Sequence, residues 1–158
     1  MIQCPLTKGN HQTIHQVIQD FPLTASTVPL ALLATSFADL ASIEGLAASL
    51  DIPVVADPQT AMLLLRHTPD GLELCKPGDS ALPGALRVDF ANPDTRRRVA
   101  NPGLELLVRA ARVRRTAQPL LIDATAGLGN DGFLLAAAGF RVQMFEVNPV
   151  VAALLADG

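Results

Sequence analysis

The spacing of apolar residues changes near the middle of the chain, and this change divides the sequence into two regions. Before about residue 91, short apolar runs typical of strands alternate with turn residues, and one helical repeat covers Phe37 to Leu50. After about residue 103, amphipathic helices alternate with short buried strands. The pattern predicts a polar leader over residues 1 to about 27, a small α+β unit at 30–93, a linker at 94–103 and an α/β unit at 104–158.

The first unit is expected to end in a hairpin and one more strand. Short strands are predicted at 29–35 and 53–56, on either side of the helix. The turn sequence Thr68-Pro69-Asp70-Gly71 separates apolar runs at 61–66 and 72–76, which is a hairpin signature. A last strand is predicted at 86–90. The pairs Asn92-Pro93 and Asn101-Pro102 then predict turns in and beside the linker.

The second unit shows a regular alternation of helix and strand. The side chain of Asn148 is suited to cap the last helix of this unit. Pro149 fits the first helical position, where a backbone N–H is not needed. The order predicts a βαβα half of a doubly wound parallel sheet, a Rossmann-like α/β fold. Helices are expected at 104–115, 131–138 and 149–156, and strands at 120–124 and 141–146.

The turn after the first of these strands carries the candidate site. It contains Gly127, Gly129 and Gly132, which let a ligand approach the backbone at a helix N-terminus. Glu146 ends the second strand, where a carboxylate can accept hydrogen bonds from both hydroxyls of a ribose. The strand context and the acid together predict a cofactor that contains a nucleoside.

The charges of the turn favour one class of cofactor. The three glycines match the G-x-G-x-x-G pattern of dinucleotide sites. However, Asp123 and Asp131 would repel a pyrophosphate by on the order of 1 kcal/mol for each close pair. S-adenosylmethionine carries no phosphate and has a sulfonium and an ammonium group, which carboxylates attract. The sequence therefore predicts S-adenosylmethionine rather than NAD or FAD.

Two runs, DATAGLGND at 123–131 and FEVNPVVAALLADG at 145–158, together with LRVDF at 86–90 and the arginine run that follows, resemble the bacterial ribosomal RNA small subunit methyltransferase J family. The resemblance covers about residues 30–158 and leaves residues 1–29 unmatched as an N-terminal extension. It implies a class I S-adenosylmethionine-dependent methyltransferase that modifies a guanine N2 in 16S ribosomal RNA. It also implies cofactor contacts at Asn130, Asp131, Glu146 and Val147. The family typically has arginine where this chain has Asn130 and Val147, so a different cofactor affinity is expected.

A catalytic motif is not expected within these residues. The family's D-P-x-F-P type motif lies downstream of the second strand. The local look-alikes Asp57-Pro58, Asn92-Pro93 and Asn101-Pro102 all lie upstream, lack the aromatic residue and are predicted as turns. We therefore expect an N-terminal fragment of an enzyme that is inactive alone. A non-catalytic nucleotide- or RNA-binding protein completed by oligomerisation remains the alternative.

Basic residues are concentrated in one stretch of the chain although its net charge is −3. Seven of the twelve basic residues lie within residues 96–115, opposed there only by Glu105. Such a patch can bind phosphates, so Arg96, Arg97 and Arg98 are candidate contacts to 16S ribosomal RNA or the small ribosomal subunit. On the residues alone, a solvated helix face is the favoured interpretation of this window, and the contact to RNA is the alternative that the resemblance adds.

Several classes of protein are not expected. No apolar run reaches the roughly 18 residues that span a bilayer, and no basic segment followed by an apolar one begins the chain, so a cytoplasmic protein is predicted. Cys4 and Cys75 have neither metal-ligand nor disulfide spacing. No metal site is predicted.

Overall fold

A computed structural model describes residues 28–36, 38–78, 84–112 and 119–158. Within them the chain forms two compact units, 28–87 and 88–158. The first strand begins at Val28, just inside the range predicted as an extension, and the rest of that predicted extension lies outside the described residues.

The first unit is a mixed five-stranded sheet with one helix. In the sheet the strands follow the order β2-β1-β3-β4-β5, with β1 parallel to β2 and β3 and the remaining pairs antiparallel. This arrangement agrees with the α+β architecture expected from the sequence. The elements are β1 Val28–Leu33, α1 Leu40–Leu50, β2 Val54–Val55, a 3-10 turn Pro58–Thr60, β3 Ala61–Thr68, β4 Gly71–Cys75 and β5 Leu86–Arg87.

Helix α1 begins three residues later than predicted because Asp39 caps it. The Asp39 carboxylate accepts hydrogen bonds from the Ser42 hydroxyl at 2.7 Å and the Ser42 backbone N–H at 2.9 Å. These bonds, the side-chain one first, lower the pKa of Asp39. The helix buries Ile43, Ala47 and Leu50, the spacing expected for one apolar face.

The predicted hairpin is confirmed. Strands β3 and β4 pair antiparallel, and Thr68 lies opposite Gly71 across a two-residue turn. Gly71 has a φ of 114°, which a residue with a side chain rarely adopts. Cys75, at the end of β4, packs against the core around Leu64, and burial raises the pKa of its thiol.

The second unit contains the predicted βαβα arrangement. Strands β6 and β7 are parallel, and Asp123 at the end of β6 lies opposite Met144 at the end of β7. Val108, Leu134 and Leu135 form a buried cluster at this sheet, packed by Leu121 and Val142. The elements are α2 Pro93–Ala100, a 3-10 turn Pro102–Leu104, α3 Leu106–Ala111, β6 Leu120–Asp123, α4 Asn130–Ala137, β7 Arg141–Met144 and α5 Pro149–Asp157.

Helix α2 is a correction to the predicted linker. Asn92 caps it by accepting a hydrogen bond from the Thr95 N–H at 2.9 Å. Asp94 stands in its first turn and Arg97 and Arg98 in its last, which complements the helix dipole. Asn101-Pro102 and Asp57-Pro58 also begin helical turns, so the three pairs predicted as simple turns all start helical structure.

Two further boundaries differ from the prediction. The strand expected at 86–90 ends at Arg87. The helix expected at 104–115 begins at Leu106 and ends at Ala111, and the predicted positions 113–115 lie outside the described residues. In the described part of the chain, no helix has the length and apolar character needed to cross a membrane.

Candidate cofactor site at the carboxyl ends of β6 and β7

The loop between β6 and α4 is bound to the chain that leaves β7. The Phe145 N–H donates to the Asp123 carbonyl at 2.8 Å, and the Ala126 N–H donates to the Phe145 carbonyl at 2.9 Å. The Gly129 N–H then donates to the Ala126 carbonyl at 2.8 Å, which turns the chain into α4. These bonds hold the predicted turn at the carboxyl edge of the sheet, where doubly wound folds bind ligands.

The loop glycines serve different purposes. Gly127 and Gly129 both have positive φ, 54° and 76°. A Cβ on Gly129 would collide with Leu155 Cδ1 and lie 3.2 Å from Phe90 Cζ, whereas a Cβ on Gly127 would meet nothing within 4 Å. Gly132 faces the Met144 side chain closely, so it permits helix α4 to approach β7. A Cβ at Gly129 or Gly132 would therefore force a neighbouring side chain to shift, whereas Gly127 leaves open space at the loop.

Glu146 is fixed by two backbone donors. Its Oε2 accepts a hydrogen bond from the Gly127 N–H at 2.8 Å, and its Oε1 accepts one from the Asn148 N–H at 2.8 Å. The side chain is half-buried. Each carboxylate oxygen has a second lone pair, so both oxygens keep the capacity to accept a hydroxyl donor.

The residues after Glu146 start the next helix as predicted. Asn148 Oδ1 accepts hydrogen bonds from the Val150 N–H at 3.0 Å and the Val151 N–H at 3.2 Å, which confirms the predicted cap. Val147 lies between Glu146 and Asn148 in the chain, and 82% of its surface is exposed. An apolar side chain thus faces solvent directly beside the fixed carboxylate.

The predicted acids border the same loop. Asp123 Oδ1 accepts a hydrogen bond from the Thr125 N–H at 3.2 Å. Asn130 and Asp131 are exposed in the first turn of α4. The structure therefore brings all seven predicted cofactor residues to the carboxyl ends of β6 and β7 and the start of α4.

This arrangement fits a cationic nucleoside cofactor better than a dinucleotide. In a dinucleotide site the loop amides face phosphate, but here the Gly127 N–H donates to Glu146. Because Asp123, Asp131 and Glu146 surround the loop, it attracts cations and repels phosphates. The described residues contain no group of three histidine, cysteine, aspartate or glutamate side chains placed to bind a metal.

The arginine run, which the sequence analysis treats as one patch, divides into two parts in the structure. Arg96 and Arg97 are exposed, and Arg97 lies 3.5 Å from Asp94. Arg98 instead contacts Glu105 Oε2 and Asp131 Oδ1, each at 3.3 Å, and is 34% exposed. The predicted patch is therefore not one uniform surface.

Two phenylalanine rings form an aromatic contact near the loop that the sequence does not predict. The rings of Phe90 and Phe133 are stacked, with centroids 4.4 Å apart and planes at 4°. Phe90 also lies against Gly129, so the pair supports the turn from within its own unit. A phenylalanine in LRVDF and another in the first turns of α4 were the signals available, but sequence spacing does not show that they meet.

A parallel βαβ unit with a glycine turn and a fixed acid after the second strand defines a nucleoside-cofactor protein of the doubly wound α/β class. Residues 46–158 match the family model described as "Putative SAM-dependent methyltransferase". The chain belongs to this family, whose cofactor is S-adenosylmethionine.

Individual relatives agree with this assignment. The chain is similar to proteins named ribosomal RNA small subunit methyltransferase J, with 44% identity over 121 residues in Alkalilimnicola ehrlichii, covering 75% of this chain and 46% of that protein. The protein of that name in Pectobacterium atrosepticum is 43% identical over 131 residues, covering 82% and 51%. The chain spans about half the length of the curated relatives it matches.

A solved structure shows the same fold. The crystal structure of a SAM-dependent methyltransferase from Neisseria gonorrhoeae superposes with a TM-score of 0.58 and 30% sequence identity. The match covers 80% of this chain and 50% of that one. The likeness confirms the predicted α/β methyltransferase fold class.

Proposed function

We propose that these residues form the cofactor-binding part of a methyltransferase that acts on guanine N2 in 16S ribosomal RNA. The observation that carries the proposal is the Glu146 carboxylate, fixed by the Gly127 and Asn148 amides beside an open loop. The relatives named ribosomal RNA small subunit methyltransferase J support the substrate class. S-adenosylmethionine, when bound, supplies a methyl group on a positively charged sulfur.

Each predicted cofactor residue has a role in this proposal. Glu146 accepts the ribose hydroxyls, because both of its oxygens are already oriented. Gly127 leaves room for the ligand against the backbone, and the exposed Val147 offers an apolar surface for the base. The carboxylates of Asp123 and Asp131 attract the positive charges, and Asn130 offers an amide at the start of α4. Gly129 shapes the turn.

The RNA contacts in this proposal begin on α2. Arg96 is exposed, and Arg97 keeps 80% of its side chain exposed although it lies within 3.5 Å of the Asp94 carboxylate, so both guanidinium groups can approach phosphates of the RNA. The partner is 16S ribosomal RNA or the small ribosomal subunit. Arg98 is not included among these contacts, because its guanidinium group lies against the carboxylates of Glu105 and Asp131.

The proposal assigns no residue of this chain to the methyl transfer itself. All four Asp-Pro and Asn-Pro pairs, including Asn148-Pro149, start helical structure, and none is followed by the aromatic residue of an amino-methylation motif. We propose that the 158-residue chain alone binds the cofactor without transferring the methyl group. In the intact protein the 16S RNA guanine is the expected acceptor.

Calorimetric titration of the intact protein with S-adenosylmethionine, S-adenosylhomocysteine and NAD tests the cofactor. Binding of the first two and not of NAD is expected, and preferential binding of NAD would overturn the proposal. Mass spectrometry of 16S RNA incubated with the intact protein and the cofactor then locates the methyl group. The Glu146→Ala variant is the control, with strongly reduced methylation at the same nucleotide.

A second candidate function rests on an exposed apolar surface of β6. Leu120 and Ile122 lie on one side of this strand and are 54% and 65% exposed. Within the described residues, the sheet of the second unit has two strands only. A non-catalytic binding protein completed by oligomerisation would cover this face with another copy. Sedimentation, cofactor binding and a methylation assay together distinguish the two candidate functions. A stable oligomer that binds cofactor but does not methylate RNA would favour the second candidate.

A further inference from the structure

Arg98 lies at the end of α2 but faces the start of α4. Its Nε is 3.3 Å from Glu105 Oε2, and its Nη2 is 3.3 Å from Asp131 Oδ1. Its two neighbours in the run, Arg96 and Arg97, are exposed. The Arg98 guanidinium group therefore bridges Glu105, at the N-cap position of α3, and Asp131, in the first turn of α4.

The bridge leaves Arg98 poorly suited to bind RNA. Its guanidinium lies between two carboxylates, so Arg98, Glu105 and Asp131 together carry one negative charge. A group of net negative charge does not attract a phosphate chain. The side chain is also less exposed than that of Arg97, at 34% against 80%.

We infer that Arg98 is a positioning residue for the cofactor site, which holds the Asp131 carboxylate at the start of α4. The inference rests on the proposed function, because Asp131 is a proposed cofactor contact. The Asp131 side chain is 62% exposed and would otherwise sample several rotamers. Arg98 occupies its Oδ1 and leaves Oδ2 available, so the aspartate is ordered before the cofactor arrives.

Removing Arg98 has two opposing effects on the cofactor, and salt separates them. Loss of the positive charge makes the site more negative, which attracts a cationic ligand. Loss of the bridge frees Asp131 and adds an ordering cost to binding. At about 0.5 M salt the screening length falls to roughly 4 Å, so the charge effect at this exposed position is largely suppressed while the ordering cost remains.

The test is calorimetric titration of the intact protein with S-adenosylmethionine at high salt. Arg98→Ala should weaken the affinity by roughly threefold to tenfold, as expected for losing one pre-ordered contact side chain. Arg98→Lys should recover part of the loss, because it restores a donor to Asp131. The matched control is Arg141→Ala, an equal charge change at an exposed residue at the opposite end of β7, which should leave the affinity unchanged.

A double variant shows whether Arg98 acts through Asp131. In an Asp131→Asn background, Arg98→Ala should cause little further loss, because the carboxylate that it orders is already absent. A structural role alone would add its full effect in both backgrounds. Thermal unfolding of each variant verifies that the proteins are folded. If Arg98→Ala is not folded, Arg98→Met serves for the comparison, because it keeps a long side chain but has no donor for Asp131.

Different failures point to different parts of the reasoning. If the parent protein does not bind S-adenosylmethionine, the proposed function is wrong and the inference falls with it. If the parent binds but Arg98→Ala binds equally well, or loses affinity equally in both backgrounds, only the role of Arg98 is wrong. A lowered salt dependence of RNA binding in Arg98→Ala would identify it as an RNA contact instead.

Discussion

Replacing Glu146 by glutamine tests both roles of this carboxylate, which are to hold the loop and to bind the ribose of the cofactor. The side chain keeps its size but loses its charge and one of its two acceptor oxygens. The amide group of glutamine would then face either the Gly127 N–H or the Asn148 N–H, where two donors meet. The loop and the start of α5 thus lose one of their shared anchors.

The expected cost follows from the number and kind of hydrogen bonds. A hydrogen bond to a charged group contributes about 1.5–3 kcal/mol, and a half-buried site lies near the lower end because water reaches the freed donor. Losing one such bond and weakening the other should destabilise the unit by about 2 kcal/mol. Losing the paired acceptor for a ribose should cost about 1.5–3 kcal/mol of cofactor affinity, about tenfold to 150-fold.

Two measurements examine these effects independently. Urea unfolding gives the change in free energy of unfolding, and calorimetric titration with S-adenosylmethionine gives the change in affinity. Glu146→Ala should lower both at least as much as Glu146→Gln. Glu44→Gln is the control, because it makes the same chemical change at an exposed residue of α1 in the other unit. An affinity equal to that of the parent in both Glu146 variants would refute the ribose role and leave the carboxylate as a support for the loop.

The remaining predictions concern the loop and the arginines. Gly129→Ala should destabilise the protein by about 2–4 kcal/mol in urea unfolding, because a positive φ and a collision with a leucine of α5 add together. Gly127→Ala, which has a positive φ but open space, should cost only about 1–2 kcal/mol, and equal costs would contradict the packing argument. Arg96→Ala and Arg97→Ala should each reduce the slope of log affinity for RNA against log salt by about 0.7–0.9, with no change in Arg141→Ala; an unchanged slope in the first two would mean that RNA binds elsewhere.

The second half of the chain was predictable because its local signals agree with one another. The apolar runs, the glycine turn and the Asn148-Pro149 cap all indicate the same βαβα order, and the observed strands and helices follow it within a few residues. The loop residues gather at one edge because the ends of parallel strands must do so. Site geometry here is a consequence of topology.

Helix α2 escaped prediction because its stabilising features are not apolar. Asn92-Pro93 is the same pair as Asn148-Pro149 and makes the same kind of cap. The residues that follow it are Asp, Thr and three arginines, with Thr95 alone fully buried within the helix. Hydrophobic periodicity therefore gives no signal, and the helix depends on its cap, its charge pattern and packing supplied by the rest of the unit.

Missing the helix also hid the division of the arginine run. In a linker, three consecutive arginines count as one basic patch, but in a helix each successive side chain turns by about 100°. Arg98 follows the buried Thr95 by three residues and therefore lies near the inward face, whereas Arg96 and Arg97 point elsewhere. Had the cap been recognised, this spacing alone would have separated Arg98 from the other two. Replacing all three arginines by alanine should therefore lower the salt slope of RNA binding by about 1.4–1.8 if Arg96 and Arg97 alone contact phosphates, whereas a fall of about 2.1–2.7 would mean that Arg98 is a third contact.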